Sequence, residues 1–390
     1  MNHIWTVLLL AIFAVAITSG QFMGNPIECW MPANFPATHV AYAKSLCWVS
    51  NTYYIPLEDT IPTDIKTRQE AEITYYQWVP VILLFQAFLF KFPNLVWKMC
   101  NGYSGLNMDK ICRMADSTML NSPEDRTKEI TNLARYLNKW LITQRNYHYN
   151  ALIRVRERVS NIFCFCIGKK DGKFLTGFYL FIKLLYVLNI VGQFFLLNAF
   201  MANDYHIFGL ELIRYLIGQG DWMPMPKFPR VTLCDFEIRQ LSNLQKWTVQ
   251  CVLPVNMFNE KIFIFLWFWF FLLAILAFFN LFLWFYYILF TTNKTKYVRK
   301  YLRINRELNT AFDKKLSQKF AEEYLRDDGI FVLRIIAKNS SDMVVTDLVY
   351  AMWKVFKETH CAKKRENAGM EDIEREKLNG STHFYPNGCA

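Results

Sequence analysis

The apolar residues of this chain are gathered into four long blocks, which are separated by polar segments. The blocks cover residues 4–23, 73–97, 174–203 and 262–293, and the first and fourth contain no Asp, Glu, Lys or Arg. A helix of about 20 residues is about 30 Å long, which matches the hydrocarbon core of a bilayer. Because lipid offers no partner to a free backbone N–H or C=O, each block is predicted to be helical. The predicted fold class is an all-α membrane protein with four transmembrane helices.

The blocks also predict how the chain is organised. The first loop is rich in proline, which favours extended and turn structure over a long helix, and the run from Tyr53 to Leu57 resembles a short strand. The segment after the second block has helical patterning and predicts a small helical domain. The predicted divisions are a first span at 1–23, a loop at 24–74, a second span at 75–98, a loop at 99–173, a third span at 174–203, a loop at 204–260, a fourth span at 261–292, a helical tail at 293–358 and a polar tail at 359–390 that is predicted to be disordered.

Lys and Arg are unevenly distributed among the polar segments. Residues 24–77 contain only Lys44, Lys66 and Arg68, whereas basic residues are dense in 91–173 and in 294–303. Loops that stay in the cytoplasm carry the excess of positive charge, so the basic segments and both termini are predicted to be cytoplasmic. The formal net charge of +11 is therefore interpreted as a sign of topology, with anionic membrane lipids as partners, and nucleic acid is not expected to bind.

Cysteine usage agrees with this orientation. Cys29 and Cys47 fall in the first predicted outer loop, and Cys234 and Cys251 fall in the second. The outside of the cell is the oxidising side, so an even number of cysteines there predicts a disulfide framework. Four cysteines allow three pairings, and their spacing does not choose among them. The other six cysteines are expected to be reduced.

The first block has two interpretations. Its apolar run is followed by Thr18, Ser19 and Gly20, small residues that a signal peptidase could accept. Cleavage there would leave three spans with the same loops outside. The residues alone leave both interpretations open, and the organisation given above takes the block as a retained span.

Some polar residues lie inside the predicted spans. Lys183, Tyr186, Asn189 and Gln193 recur at steps of three and four residues, so they share one broad helix face. That face either lines an aqueous pore or hydrogen-bonds to other helices of the bundle, with Lys183 extending towards the cytoplasm. Pro80 removes one backbone donor from the second span and predicts a kink, either a gating hinge or a fixed bend.

Signatures of enzymes and of selective ion channels are missing from the sequence. There is no metalloprotease, hydrolase or nucleotide-binding motif, and the six histidines lack the spacing of metal ligands. We therefore expect no catalytic residue, no metal site and no cofactor. The sequence also lacks a potassium-channel filter and an arginine ladder for voltage sensing, so a pore would be wide and weakly selective.

Five motifs resemble one family, the innexins. They are GNPIECW at 24–30, YYQWVP at 75–80, FPRVTLCDF at 228–236, NEKIFIFLWFWF at 259–270 and DDGIFVL at 327–333. The resemblance implies a subunit that joins other innexin subunits in a ring, with eightfold symmetry expected. Such a ring is a hemichannel in the plasma membrane, and it docks with the hemichannel of an adjacent cell to form a gap junction that passes ions and small molecules by diffusion. The resemblance also implies a retained first span and the disulfide pairs Cys29 with Cys251 and Cys47 with Cys234.

The start of the sequence departs from the family pattern. Innexins carry a segment before the first span that folds into the pore mouth, whereas only Asn2 and His3 separate Met1 from the first block here. We therefore expect this pore segment to be missing, which implies either a truncated start or an atypical subunit with a wider or non-functional pore. Two alternatives to a gap-junction subunit follow: an undocked hemichannel that releases solutes, and a non-conducting or modulatory partner of other innexins.

Overall fold

A computed structural model of the chain describes residues 4–56, 58–119, 122–143, 172–201, 207–218 and 228–379. The described chain is mostly helical, and it separates into two compact units. We call Met1–Leu95 with Leu185–Phe279 the disulfide unit, and Val96–Leu184 with Asn280–Ala390 the helical unit. Each unit is built from two separate stretches of sequence, because helices that begin in one unit continue into the other.

The helices and strands follow the alternation of apolar and polar segments. The helices are α1 (Trp5–Met23), α2 (Ala37–Val49), α3 (Ile65–Glu70), α4 (Val79–Cys100), α5 (Met108–Ser117), α6 (Pro123–Thr143), α7 (Phe174–Met201), α8 (Phe208–Leu216), α9 (Pro254–Leu289), α10 (Thr291–Ile304), α11 (Ala311–Lys319), α12 (Arg326–Asn339) and α13 (Asp342–Asn379). The strands are β1 (Glu28–Cys29), β2 (Thr52–Tyr53), β3 (Glu72–Ile73), β4 (Val231–Gln240) and β5 (Asn243–Val252).

Four of the described helices are long and apolar enough to cross a membrane, namely α1, α4, α7 and α9. They correspond to the four predicted spans. The fourth is longer than predicted, because Pro254 is favourable in the first turn of a helix and starts α9 with 36 residues. At the other end, the extended backbone of Phe290 separates α9 from α10.

A small antiparallel sheet joins the two loops of the disulfide unit. Its strand order is β1-β5-β4-β2-β3, so the first loop supplies three short strands and the second loop supplies a hairpin of two ten-residue strands. The sequence predicted only the strand near Tyr53, which is the second residue of β2. The first loop also contains the 13-residue helix α2, which the proline content argued against. Pro36 takes the N-cap position of α2, so this proline starts a helix instead of preventing one.

The first block of the sequence packs inside the disulfide unit. Leu10, Ala14 and Ile17 form the buried face of α1. The fully buried hydroxyl of Thr6 accepts a hydrogen bond from the indole N–H of Trp269 in α9, at 3.1 Å. A polar contact of this kind holds two apolar helices together where no water can replace it. These contacts support the retained span.

The helical unit has a core of its own. The residues that gave the sequence its helical pattern, Ile130, Leu133, Leu137, Trp140 and Leu141 of α6, are all buried there. They pack in one cluster with residues of α5 and of the four helices from α10 to α13. α13 continues to Asn379, so helix replaces the predicted disorder from residue 359 to that point, and residues 380–390 lie outside the described part.

A buried carboxylate in the helical unit holds the start of α7. Asp328 of α12 accepts hydrogen bonds from the backbone N–H groups of Leu175 and Thr176, at 3.2 and 2.9 Å, and from the Thr176 hydroxyl at 2.8 Å. The first amides of a helix have no partner within the helix, and an acidic side chain commonly satisfies them. Asp328 therefore serves as an N-cap contributed by a distant part of the chain.

Candidate functional site

The two loops of the disulfide unit are linked covalently. Cys29 lies directly opposite Cys251 in the β1–β5 ladder and is bonded to it. Cys47, near the end of α2, is bonded to Cys234 in β4. Each bridge joins the first loop to the hairpin of the second loop, across sequence separations of 222 and 187 residues. These are the two pairs that the family resemblance implies.

The bridges are buried next to each other. The side chains of Cys47, Cys234 and Cys251 are fully buried, and Cys29 is nearly so. The sulfur atoms of Cys29, Cys47 and Cys251 all lie within 4.8 Å of one another. A metal binds the thiolate form of cysteine, which a sulfur in a disulfide does not offer. This sulfur cluster is therefore a cross-link between loops, and breaking one bridge would leave a thiol beside the other.

Asp235 of β4 adds a polar link between the same two loops. Its carboxylate accepts hydrogen bonds from the Tyr53 hydroxyl at 2.9 Å and from the Thr248 hydroxyl at 2.7 Å, and it pairs with the Arg68 guanidinium at 2.7 Å. Burial raises the pKa of Tyr53 to about 12, and the hydrogen bond to Asp235 adds to this shift. Tyr53 therefore stays protonated and keeps donating at neutral pH. Sequence analysis missed Asp235, because a single Asp in a strand carries no signal of its distant partners.

Two leucines are exposed at the far end of the hairpin. Leu241 is the first residue of the two-residue turn between β4 and β5, and its side chain is fully exposed. Its φ of 57° lies in the left-handed region, where glycine or asparagine is the usual residue. Leu244, at the start of β5, is also exposed. An exposed leucine in strained backbone, at the tip of a cross-linked sheet, has no role in the packing of this chain.

The predicted polar face of the third span is divided in the structure. Lys183 belongs to the helical unit, where its ammonium lies 5.0 Å from the centre of the Tyr179 ring. Tyr186, Asn189 and Gln193 belong to the disulfide unit. There the side-chain amide of Gln193 donates to the Asn189 side-chain oxygen at 3.1 Å, across one turn of α7. Gln193 is 1% exposed, so it lies in the interior of a single subunit.

The second span contains a polar residue that sequence analysis missed. Gln86 of α4 is fully buried, and neither polar atom of its side-chain amide has a hydrogen-bond partner among the described residues. In α7, the Asn189 side-chain nitrogen and the Gln193 side-chain oxygen are buried without a partner there as well. A buried amide without partners is destabilising unless water or another polar group reaches it. Gln86 could have been found from the sequence as the one polar amide in the run from Val79 to Phe90.

Pro80 starts a helix and does not interrupt one. It is the second residue of α4, within the first turn, where backbone amides have no helical partner. A proline at 80 cannot donate to the Tyr76 carbonyl, and in the structure that carbonyl accepts a hydrogen bond from the Gln21 side chain at 2.9 Å. The predicted kink at Pro80 is thus replaced by a helix start. The proline inside α4 is Pro93.

Comparison with known proteins gives the family. A sequence model of the innexin family matches residues 1–356. Innexin unc-9 of Caenorhabditis elegans is 36% identical over 353 residues, which cover 90% of each chain. Innexin-19 of Caenorhabditis briggsae is 34% identical over 407 aligned positions, covering 98% of this chain and 90% of the relative. Innexin-3 of Caenorhabditis elegans is 34% identical over 356 residues, covering 91% of this chain and 82% of the relative. The family match, the four candidate spans and the two cross-linked loops place this chain in the innexin family, whose members are gap-junction channel subunits.

Proposed function

We propose that this innexin joins other innexin subunits in an eightfold ring, and that the ring docks with a hemichannel of an adjacent cell. The channel passes ions and small molecules by diffusion, a process that needs no catalytic step, so we propose no enzymatic role. One observation carries this proposal. Both loops are fixed by disulfides into a single sheet, whose hairpin carries exposed leucines at its tip.

The proposed orientation places the two cross-linked loops, at 24–74 and 204–260, outside the cell and both termini in the cytoplasm of a plasma-membrane protein. Disulfides persist in the oxidising environment outside the cell, and all four bridged cysteines belong to the disulfide unit. In this orientation the Lys- and Arg-rich segments at 91–173 and 294–303 would face the cytoplasm, which agrees with the positive-inside rule. Exposed aromatic residues of α9, such as Phe279 and Phe282, would face lipid or a neighbouring subunit.

We propose that Asn189 and Gln193 face the interior of the bundle and not the pore. Gln193 is buried within a single subunit and bonded to Asn189, which supports this interpretation. Lys183 and Tyr186 are partly exposed, so we propose that their side chains contact either a neighbouring subunit or the pore.

The hairpin tip gives a direct test of docking. Leu241→Asp places a charge on each tip of the ring, and we expect dye transfer between paired cells to fall roughly tenfold or more, since each buried leucine contributes about 1.5 to 3 kcal/mol and the contact is repeated around the ring. Dye uptake by single cells should stay unchanged, because the substitution lies in the loop tip and outside the four spans. Leu241→Met keeps an apolar tip and should keep the coupling.

Met343→Asp is the matched control, because Met343 is an exposed apolar residue of the helical unit and the change in charge is the same. It should leave coupling intact. Coupling that survives Leu241→Asp would contradict docking through the tip. Absence of both dye transfer and dye uptake in cells that express only this chain would contradict the conducting subunit and favour a modulatory partner. Projections of the purified ring by electron microscopy would test the eightfold symmetry.

A further inference from the structure

The helical unit contains a basic cavity where α9 ends. The cavity has a volume of about 490 Å³, which is within the usual range for a small-molecule site. Its lining includes four basic side chains and one acidic side chain: Lys296, Lys300, Arg334, Lys338 and Asp342. These five residues come from three helices. Lys296 and Lys300 belong to α10, Arg334 and Lys338 to α12, and Asp342 to α13.

The single acidic residue is already occupied. Asp342 accepts a hydrogen bond from the Lys300 ammonium at 3.0 Å and from the Tyr301 hydroxyl at 2.9 Å. Within the described residues, no carboxylate lies within ion-pair distance of Lys296, Arg334 or Lys338. Asp327 acts on Arg334 only at longer range and is itself paired with Lys294, so the cavity presents three cationic groups with no described carboxylate in direct contact.

Aromatic rings hold two of these cations in place. The Arg334 guanidinium lies 4.7 Å from the centre of the Tyr287 ring and 5.0 Å from that of Tyr297, and the Lys338 ammonium lies 4.8 Å from the Trp284 ring. A cation over a ring is attracted by it but keeps its full charge and its N–H donors. The Arg334 Nε atom is buried and has no hydrogen-bond acceptor in the part of the chain that the structure describes.

Burial makes these unpaired cations unfavourable. Burial lowers the pKa of both Arg334 and Lys338. The nearby positive charge of Arg334 lowers the pKa of Lys338 further. A bound anion would remove this cost. Planar guanidinium groups bind phosphate through two parallel hydrogen bonds, and lysine adds a mobile positive charge.

We propose that this cavity binds a phosphate monoester, and that its source is a phospholipid whose headgroup carries an additional phosphate group. The position of the cavity supports a lipid source. Trp284 and Tyr287 lie in the last turns of α9, and the apolar stretch of that helix ends at Ile288. Tryptophan and tyrosine at the end of a span are typical of headgroup depth. The proposal does not depend on docking or on conduction.

The test measures binding to the purified full-length protein in detergent. Isothermal titration calorimetry would compare three ligands: a short-chain phosphatidylinositol bisphosphate, the free inositol phosphate headgroup, and a short-chain phosphatidylcholine. We expect the first to bind most tightly and the last not to bind. Arg334→Gln with Lys338→Gln should weaken binding of the anionic lipid roughly tenfold or more, because two charge-assisted contacts are lost.

Lys314→Gln with Lys315→Gln is the matched control, since these exposed residues of α11 lie outside the cavity lining and their removal changes the net charge equally. It should leave the affinity within about twofold, as expected for distant surface charges. Arg334→Lys keeps the charge but loses the planar group, so it should give an intermediate affinity. All variants should elute as assembled rings on size-exclusion chromatography.

Equal affinity for the free headgroup and the lipid would support the phosphate site and assign it to a soluble organic phosphate. Equal weakening by the cavity variant and by the control, in properly assembled protein, would overturn the proposal. Absence of binding by every anionic ligand would overturn it as well.

Discussion

The cross-linked loops of the disulfide unit and the helical unit of this innexin are stabilised by different means. In the disulfide unit, the first loop contributes three strands of two residues each, and two disulfides fix them to a hairpin. In the described part of the helical unit the cysteines Cys100 and Cys112 are free thiols, and the fold depends on a buried apolar cluster that includes Trp353.

The difference follows from how much apolar surface each segment can bury. Strands of two residues are far too short to be stable alone, and a loop of about 50 residues has little core. Helices with one apolar face bury that face against each other and need no cross-link. The same division suits the proposed orientation, because disulfides persist outside the cell and free thiols persist inside it.

Removal of both bridges should break this comparison with the largest effect. We expect replacement of Cys29, Cys47, Cys234 and Cys251 by serine to cost about 2 to 4 kcal/mol for each bridge and to abolish dye transfer between cells. Both cysteines of a bridge have to be replaced together. Cys234→Ser alone would leave the Cys47 sulfur within 4.8 Å of the sulfur atoms of Cys29 and Cys251, where its thiolate could exchange with the intact bridge.

The matched control replaces the free cysteines Cys100 and Cys112 by serine. Burial raises the pKa of Cys112 to about 11, so it is a neutral thiol at physiological pH and does not exchange readily. This variant should assemble and couple cells as the wild type does. If the variant without bridges transferred dye at the wild-type level, the disulfides would not be needed for docking.

Trp353→Ala should break the other side of the comparison. Trp353 is 1% exposed, and its indole N–H donates to Glu307 at 3.3 Å. Loss of a buried tryptophan typically costs about 3 to 5 kcal/mol. Hydrogen exchange measured by mass spectrometry should show faster exchange in α10–α13 and unchanged exchange in β4 and β5. Trp30→Ala removes a tryptophan that is 82% exposed, and it should leave hydrogen exchange unchanged both in α10–α13 and in β4 and β5.

The spans could be predicted from the sequence because lipid imposes a simple rule on length and polarity. The apolar blocks identified α1, α4, α7 and α9, and helical periodicity identified the buried face of α6. Both signals are local, so a single sequence contains them in full. The family resemblance, and not spacing, supplied the disulfide pairs.

The sheet and its polar contacts could not be predicted, because they depend on residues far apart in the chain. Asp235 is 182 residues from Tyr53 and 167 from Arg68, and no local pattern connects them. The proline content of the first loop argues against a helix and Pro80 predicts a kink, whereas Pro36 and Pro80 both occur where a helix begins. A proline signals a helix boundary, and whether the boundary is a start or a bend depends on its neighbours.

The pH dependence of stability would sharpen the comparison for the helical unit. Burial raises the pKa of Asp328 to about 6, although hydrogen bonds from Thr176 and Leu175 act in the opposite direction. The unfolded carboxyl has a pKa of about 3.9, so the folded state binds more protons between about pH 4 and pH 6. The contribution of Asp328 to stability therefore falls as the pH rises through this window, by on the order of 2 to 3 kcal/mol.

Asp328→Asn removes this titration and keeps one acceptor for the start of α7. Thermal unfolding of the detergent-purified protein would be followed from pH 4 to pH 7 for the wild type and the variant. The wild type should lose stability relative to Asp328→Asn as the pH rises, and the difference should level off above about pH 6 to 7. Parallel curves for the two proteins would contradict the proposed titration.

Asp235→Asn should have the smallest effect, and it separates the polar link between the loops from the covalent links. The substitution removes the charge that pairs with Arg68 and keeps an oxygen for Tyr53 and Thr248. Because the Asp235 side chain is 36% exposed, water screens the pair, and we expect a loss of about 1 to 2 kcal/mol. Limited proteolysis should then cut the segment around Arg68 faster, while the hairpin stays protected.

Glu237→Gln provides the control on the same strand. Glu237 faces Lys246 across the hairpin at 2.9 Å, but both side chains are at least half exposed, so this pair should contribute less than about 1 kcal/mol. The two substitutions make the same change in charge two residues apart. Asp235 accepts from the first loop, whereas the ion pair of Glu237 stays within the hairpin. Faster cleavage near Arg68 in Asp235→Asn alone would show that a polar contact holds the first loop to the hairpin even with both disulfides intact. Equal cleavage of the two variants would show that the Asp235 contacts do not help to hold the first loop to the hairpin.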